Sequence, residues 1–259
     1  VADQRKPPPT VIVEDVHVVY RVHGSGTGRG SATSALGRLA TRRSLPGTRE
    51  VHAVKGVSLV ARRGEAVGLV GTNGSGKSTL LRTIAGLLPP ERGRVYTEGQ
   101  PSLLGVNAAL MNDLSGERNV ALGCLAMGMT PEQVRERYPG IVEFSGINER
   151  GDFIHMPMRT YSSGMAARLR FSIAAAKTHD VLLIDEALST GDSGFQRRSK
   201  ERIEELRQEA GTVFLVSHNN GTIRETCDRT LWLESGVLRM DGPTDEVLAA
   251  YEDFAKRGG

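Results

Sequence analysis

At 259 residues, with 39% hydrophobic and 24% charged residues and a formal charge of +3, the chain is long enough for one large α/β domain, and its composition excludes a disordered or membrane-embedded polypeptide. The small basic excess suits phosphate, anionic lipid or nucleic acid without choosing among them, and reads first as ordinary solubility. Cys124 and Cys227 lack CxxC or His spacing, which leaves a metal site or disulfide framework unsupported; both are expected as reduced packing residues. No stretch approaches the roughly 20 apolar residues of a membrane span, and the opening VADQRKPPPT is polar rather than a signal peptide, so the chain is expected in the cytosol.

Residues 1–9 read as a solvated tail ending in three prolines. VIVEDVHVVY (11–20) then alternates as a half-buried strand. Residues 23–50 are rich in Gly, Ser, Thr and Arg and form a surface insertion or a loose linker. Alternation resumes at Val54, Val57 and Leu59, and AVGLV (66–70) is a continuous apolar run of the kind a buried parallel strand carries. From about 107 the pattern turns helical, with Thr130, Pro131 and Gln133 marking a capped helix start, and a helical subdomain is expected over about 107–175. VLLI (181–184) and VFLV (213–216) flank a charged stretch, 197–209, that reads as a crossover helix. Strand, helix, strand implies a mostly parallel sheet. TDEVLAAYEDFA (244–255) is expected as a capped amphipathic helix closing a single domain over 10–259.

Directly after AVGLV stand Gly71, Thr72, Asn73, Gly74, Ser75, Gly76, Lys77 and Ser78, followed by Thr79 and an apolar helix pattern. This is G-x-x-x-x-G-K-[ST] between strand and helix. Glycines let consecutive N–H groups turn inward around a phosphate, the helix start adds positive potential, Lys77 reaches the β and γ phosphates, and Ser78 can ligate Mg²⁺. An ordinary glycine turn would not need that order of parts. Asp185 and Glu186 follow VLLI, and strand ends in such sheets face the ligand crevice. Asp185 is placed to hold Mg²⁺ and Glu186 to orient the water that attacks the γ phosphate. Without the loop, the two carboxylates would read as a helix cap. His218, after VFLV, is a candidate for the γ phosphate or the attacking water.

Tyr161, Ser162, Ser163, Gly164 and Met165 precede AARLRFSIAAA and lie between the phosphate loop and VLLIDE. YSSGM resembles the signature motif of ABC ATPases, and the order of motifs is that of the family. The resemblance implies a P-loop NTPase of the ABC ATPase type: a mostly parallel α/β core with an antiparallel β subdomain and a helical subdomain. It also implies ATP and Mg²⁺ as cofactors, and a head-to-tail dimer in which Ser162, Ser163, Gly164 and Met165 of one copy close over the triphosphate of the other. YSSGMAARLRFSIA, IDEALSTGDSGFQ, VSHNNGTIRETCDRTLWLESG and LSGERNV are similar to the ATPases of bacterial exporters of lipid-linked polysaccharide, those of O-antigen, teichoic acid and mycobacterial galactan. The insertion, with Leu36 and Gly37 in a basic loop, is similar as well. The partners so implied are a second copy, an integral-membrane permease and, through it, a lipid-linked glycan. The chain would sit at the cytoplasmic face of the plasma membrane, with no nucleic acid expected. By the same resemblance Leu188 to Asp192 form the loop crossing the dimer interface. Tyr20 is assigned to adenine stacking, with His52 as its rival and a core tyrosine as the plain alternative.

One departure stands out. Where the family carries a glutamine or glutamate between core and helical subdomain, this chain reads SLLGVNAAL, with Gly105 in that place and Asn107 as a possible substitute. No carboxy-terminal carbohydrate-binding domain follows in this sequence, so selection of a capped glycan is not expected of it. Two other classes compete: a soluble ABC ATPase gripping RNA or DNA, kept open by the basic insertion, and a non-hydrolysing regulatory subunit, opposed by Lys77, Asp185, Glu186 and His218.

Overall fold

A computed structural model describes residues 7–22, 49–104, 110–149, 151–177, 179–185, 193–217 and 219–257. The insertion with Leu36 and Gly37, the Gly105 and Asn107 loop, Glu186, the 188–192 loop and His218 lie outside the described residues.

Two sheets are present. Strands β1 (Pro9–Val22), β2 (Arg49–Arg62) and β4 (Arg92–Thr97) make an antiparallel sheet in the order β2-β1-β4. Strands β3 (Ala66–Val70), β5 (Ser102–Leu104), β6 (Val181–Ile184), β7 (Thr212–Val216), β8 (Arg229–Glu234) and β9 (Val237–Pro243) form the second, in the order β5-β6-β7-β3-β8-β9. The first five of that order run parallel, and β9 returns antiparallel to β8. The parallel core expected from the apolar runs is therefore observed, as is the antiparallel subdomain. Pro9 already pairs with Arg62, and the carbonyls of Pro7 and Pro8 accept from the Arg62 side chain and the Arg63 amide. Proline has no N–H to offer a sheet, but its carbonyl still pairs.

Strand alternation divides the core. Leu69, Leu183 and Phe214 face one cluster, shared with helix α1 (Lys77–Ile84) through Leu80, Leu81 and Ile84 and with the valines of β1 and β2. Val70, Leu182, Ile184, Val213 and Leu215 face the other. There they meet Phe195 and Leu206 of α5 (Ser193–Glu209), Ile223 of α6 (Asn220–Thr226) and Val247 and Leu248 of α7 (Thr244–Lys256). Strands covered on both faces lose the polar half of the period-2 pattern, which explains why VLLI and VFLV read as unbroken apolar runs. Helix α1 is thus wedged between the two sheets, with contacts to β1, β2, β4 and β7.

The helical subdomain has its own core. Helices α2 (Gly116–Ala126), α3 (Pro131–Ser145) and α4 (Ser163–Ala174) enclose Val120, Cys124, Ile141, Leu169 and Ile173. The Thr130/Gln133 capping box forms as the sequence implied. Phe144, Phe171 and Phe195, with ring centroids 5.7–6.0 Å apart, tie this subdomain to α5. The start of α7 differs from expectation: no side chain caps it, because Pro243 holds the cap position and the Thr244 hydroxyl donates to the Cys227 carbonyl at 2.6 Å.

The LSGERNV segment has a physical reason. Asn119, fully buried, accepts from the Met111 amide at 2.7 Å and donates to the carbonyls of Met111, Leu114 and Ser115. One carboxamide thereby satisfies the turn leading into α2. Asn119→Ala strands those buried groups and should cost about 2–4 kcal/mol. Chemical denaturation reads this directly, and a loss below about 0.5 kcal/mol would contradict the role. Burial also raises the Cys124 thiol to about 11. Iodoacetamide at pH 8 should therefore leave Cys124 unlabelled in the folded chain and modify it in denaturant, as peptide mass mapping would register.

Candidate functional site

Backbone accounting decides the loop. Val70 ends β3, Gly71 to Gly76 turn, and Lys77 opens α1. Gly71, Gly74 and Gly76 hold φ of 146°, 82° and 106°, a region that side chains disfavour. A Cβ on Gly71 would fall 1.9 Å from the Leu233 carbonyl oxygen, and one on Gly76 2.3 Å from that of Ala53. Neighbouring backbone therefore wraps the loop from outside.

Inside it, the Lys77 ammonium donates to the carbonyls of Gly71 at 2.7 Å and Thr72 at 2.9 Å, with the Ser75 hydroxyl at 3.4 Å. Lys77 is 8% exposed, yet Asn73 and Gly74 at the tip are open to solvent. A buried ammonium ringed by carbonyls, beneath an open tip of turned backbone, fits an anion that can exchange for those carbonyls. Ser78 and Thr79 are half-buried in the first turn of α1. Ser78 follows the lysine directly, as a hydroxyl ligand for a phosphate-bound Mg²⁺ requires.

Asp185 lies at the same end of the sheet. Ile184 pairs with Leu215, Leu69 with Val216 and Val70 with Trp232, so the carboxyl ends of β6, β7, β3 and β8 lie along one edge. Half-buried Asp185 directly follows β6 there. A hard cation bound through one hydroxyl, one carboxylate and phosphate oxygens needs no cluster of protein carboxylates. Among the described residues no His, Cys, Asp and Glu group of metal-holding kind occurs.

Tyr20 reaches the first turn of α1 just after this loop. Its hydroxyl lies 3.4 Å from the Thr79 hydroxyl. In the β1/β2 register Tyr20 pairs with Val51 and His52 with Val19, which puts the two rings on opposite faces. His52 instead faces Glu50 at 3.9 Å, half-exposed.

The YSSGM segment belongs to the helical subdomain, where α4 packs on α2, α3 and β5. Ser162 is the N-cap and accepts from the Met165 amide at 3.2 Å; Ser163 opens the helix and is exposed, and Gly164 follows in the first turn with nothing closer than 4.0 Å to a Cβ there. Tyr161 is an anchor rather than a ligand group: its hydroxyl donates to the Phe153 carbonyl at 2.7 Å, and burial raises its pKa. The Met165 side chain packs into the subdomain core. Ser163 and Gly164 are left as the presented part of the segment.

Residues 54–189, more than half of the chain, match the family description "ABC transporter". The chain belongs to that family. Among curated ABC relatives, the teichoic acids export ATP-binding protein TagH of Staphylococcus saprophyticus is 43% identical over 210 residues, covering 80% of this chain and 78% of that protein. TagH of Shouchella clausii is 40% identical over 214 residues, covering 81% of this chain but 59% of the relative's own length. Two solved structures share the ABC fold. An ATP-binding subunit of an ABC transporter superposes with a TM-score of 0.68 at 23% identity, covering 96% of this chain and 95% of its own. A dimeric ATP-binding cassette in a post-hydrolysis state with ADP and Pi gives 0.67 at 22% identity, covering 90% of this chain and 98% of its own.

Sequence reasoning missed Glu234. This buried residue accepts from the Thr72 hydroxyl at 2.7 Å, and the neighbouring turn holds Ser75 through the Gly236 amide at 2.9 Å. The available signal was a lone carboxylate ending the apolar strand RTLWLE just before Ser235 and Gly236. The packing around the loop also separates its glycines. Gly71→Ala meets backbone and should lower stability by about 3 kcal/mol or more, whereas Gly74→Ala, with nothing within 4 Å, suffers only the strain of its positive φ, about 1 kcal/mol. Thermal unfolding of the two variants should rank them in that order.

Proposed function

We propose that the chain is the ATP-hydrolysing motor subunit of an ABC exporter of lipid-linked polysaccharide, acting as a dimer beneath a membrane permease. The observation that carries the reading is Lys77 held at the mouth of a glycine loop between β3 and α1, in a chain 43% identical to a teichoic acids export ATP-binding protein. Lys77 and the turned amides bind the β and γ phosphates. Ser78 and Asp185 would hold Mg²⁺, which supplies neutralisation of charge on the phosphate oxygens. Tyr20 offers its ring to adenine beside the first turn of α1. Glu186 orients the attacking water, and His218 hydrogen-bonds the γ phosphate or that water. Ser163 and Gly164 of the second copy, at the start of its α4, donate to the same γ phosphate and complete the site.

The dimer then closes only while γ phosphate contacts persist, and hydrolysis releases it. That cycle is what would move a permease and its glycan at the cytoplasmic face of the membrane. Among the described residues no helix is long and apolar enough to cross a membrane.

Glu186→Gln should retain ATP binding, lose turnover by a factor of about 10² or more, and run as an ATP-dependent dimer on a sizing column. Lys77→Ala should lose nucleotide affinity by about tenfold or more, as equilibrium binding would read. Hydrolysis at the parental rate in the first variant, or unchanged affinity in the second, would overturn these roles. Copurification with its permease and identification of the bound lipid tests the substrate class.

A further inference from the structure

Strand β8 ends in a carboxylate at a buried position. Glu234 is 9% exposed and Lys77 8%, and among the described residues these two are the buried charged side chains. Both act on Thr72. Lys77 Nζ donates to its carbonyl at 2.9 Å, while the Thr72 hydroxyl donates to Glu234 Oε1 at 2.7 Å and its amide points to Oε2 at 3.4 Å. A buried carboxylate is tolerated only where donors satisfy it, and a hydroxyl at this distance makes a strong charge-assisted bond.

The two residues after Glu234 grip the other end of the loop. Ser235 and Gly236, with φ of 52° and 83°, form the tight turn between β8 and β9. The Gly236 amide donates to the Ser75 carbonyl at 2.9 Å, and its own carbonyl accepts from the Lys55 amide at 2.8 Å. The loop's internal turn, the Ser75 amide donating to the Thr72 carbonyl at 3.1 Å, is thus held at both of its corners from β8. Thr72 and Ser75 bound the segment whose amides must converge on phosphate.

We propose that Glu234 is a positioning residue of the phosphate loop, its carboxylate clamping Thr72 so that the loop keeps the curvature that seats a triphosphate. The proposal rests on the ATP-binding reading above. Glu234 acts through Thr72 and touches no phosphate.

A double-mutant cycle on the full chain tests it, using Thr72→Val, Glu234→Leu and the pair, with Glu234→Gln and Thr72→Ser as conservative controls. A fluorescent ATP analogue gives affinity, and steady-state hydrolysis gives KM and kcat. Each apolar single variant should weaken binding about tenfold, and the pair should be no weaker than either single. Gln keeps an oxygen for the Thr72 hydroxyl and Ser keeps the hydroxyl, so both controls should stay within about threefold of the parent. KM should rise by a larger factor than kcat falls, which general loss of folded protein would not produce. Multiplying effects in the pair, or a Gln variant as weak as Leu, overturns the clamp. If Glu234→Leu does not fold, Thr72→Val against Thr72→Ser decides: equal affinities overturn it. A parent chain that binds no analogue overturns the ATP reading, and the clamp with it.

Discussion

The pull of the Lys77 ammonium on the carbonyls of Gly71 and Thr72 is the interaction around which the rest is arranged. A charge buried this deeply needs a ring of oxygens, and a backbone that turns its oxygens toward one point must adopt left-handed φ values on the way. That constraint selects glycine at positions 71 and 76. It also forces the surrounding backbone of β2 and β8 to approach so closely that no Cβ fits. Helix α1 extends from this point, and its Leu80, Leu81 and Ile84 are buried in the core shared with the two sheets, which anchors the base of the loop.

The parallel sheet turns that anchor into a site. Five strands share one direction, and their carboxyl ends bring residues distant in sequence to a single edge. Asp185 arrives there from β6, Ser217 from β7 and the phosphate loop from β3. The helical subdomain contributes otherwise: Ser162 caps α4 and leaves Ser163 and Gly164 presented outward, while Tyr161 and Met165 fix the segment to the subdomain's own core. A presented helix start of this kind is suited to a phosphate brought by another copy. That is the physical sense of the dimer proposed above.

Much of this was legible because the chemistry is local. Eight consecutive residues carry the loop's glycines, its lysine and its hydroxyl, and a strand that is apolar throughout reports burial on both faces. The capping box at Thr130 is equally local. Glu234 was illegible for the converse reason: its partner Thr72 is 162 positions away, and only the pairing of β8 with β3 brings them together. The placing of Tyr20 and His52 on opposite faces likewise depended on register, since a one-residue difference in pairing reverses the face on which a side chain lies.

The sequence by itself determined the strand-loop-helix unit, the parallel core and the helical character of the middle section, because each depends on periodicity or on contacts between neighbours in the chain. Tertiary structure alone decided the strand order, the face shown by Tyr20, the inward role of Tyr161, the Asn119 clasp and the carboxylate behind the phosphate loop. Those depend on which distant segments pack together, and the period of a strand or helix carries no record of its partner.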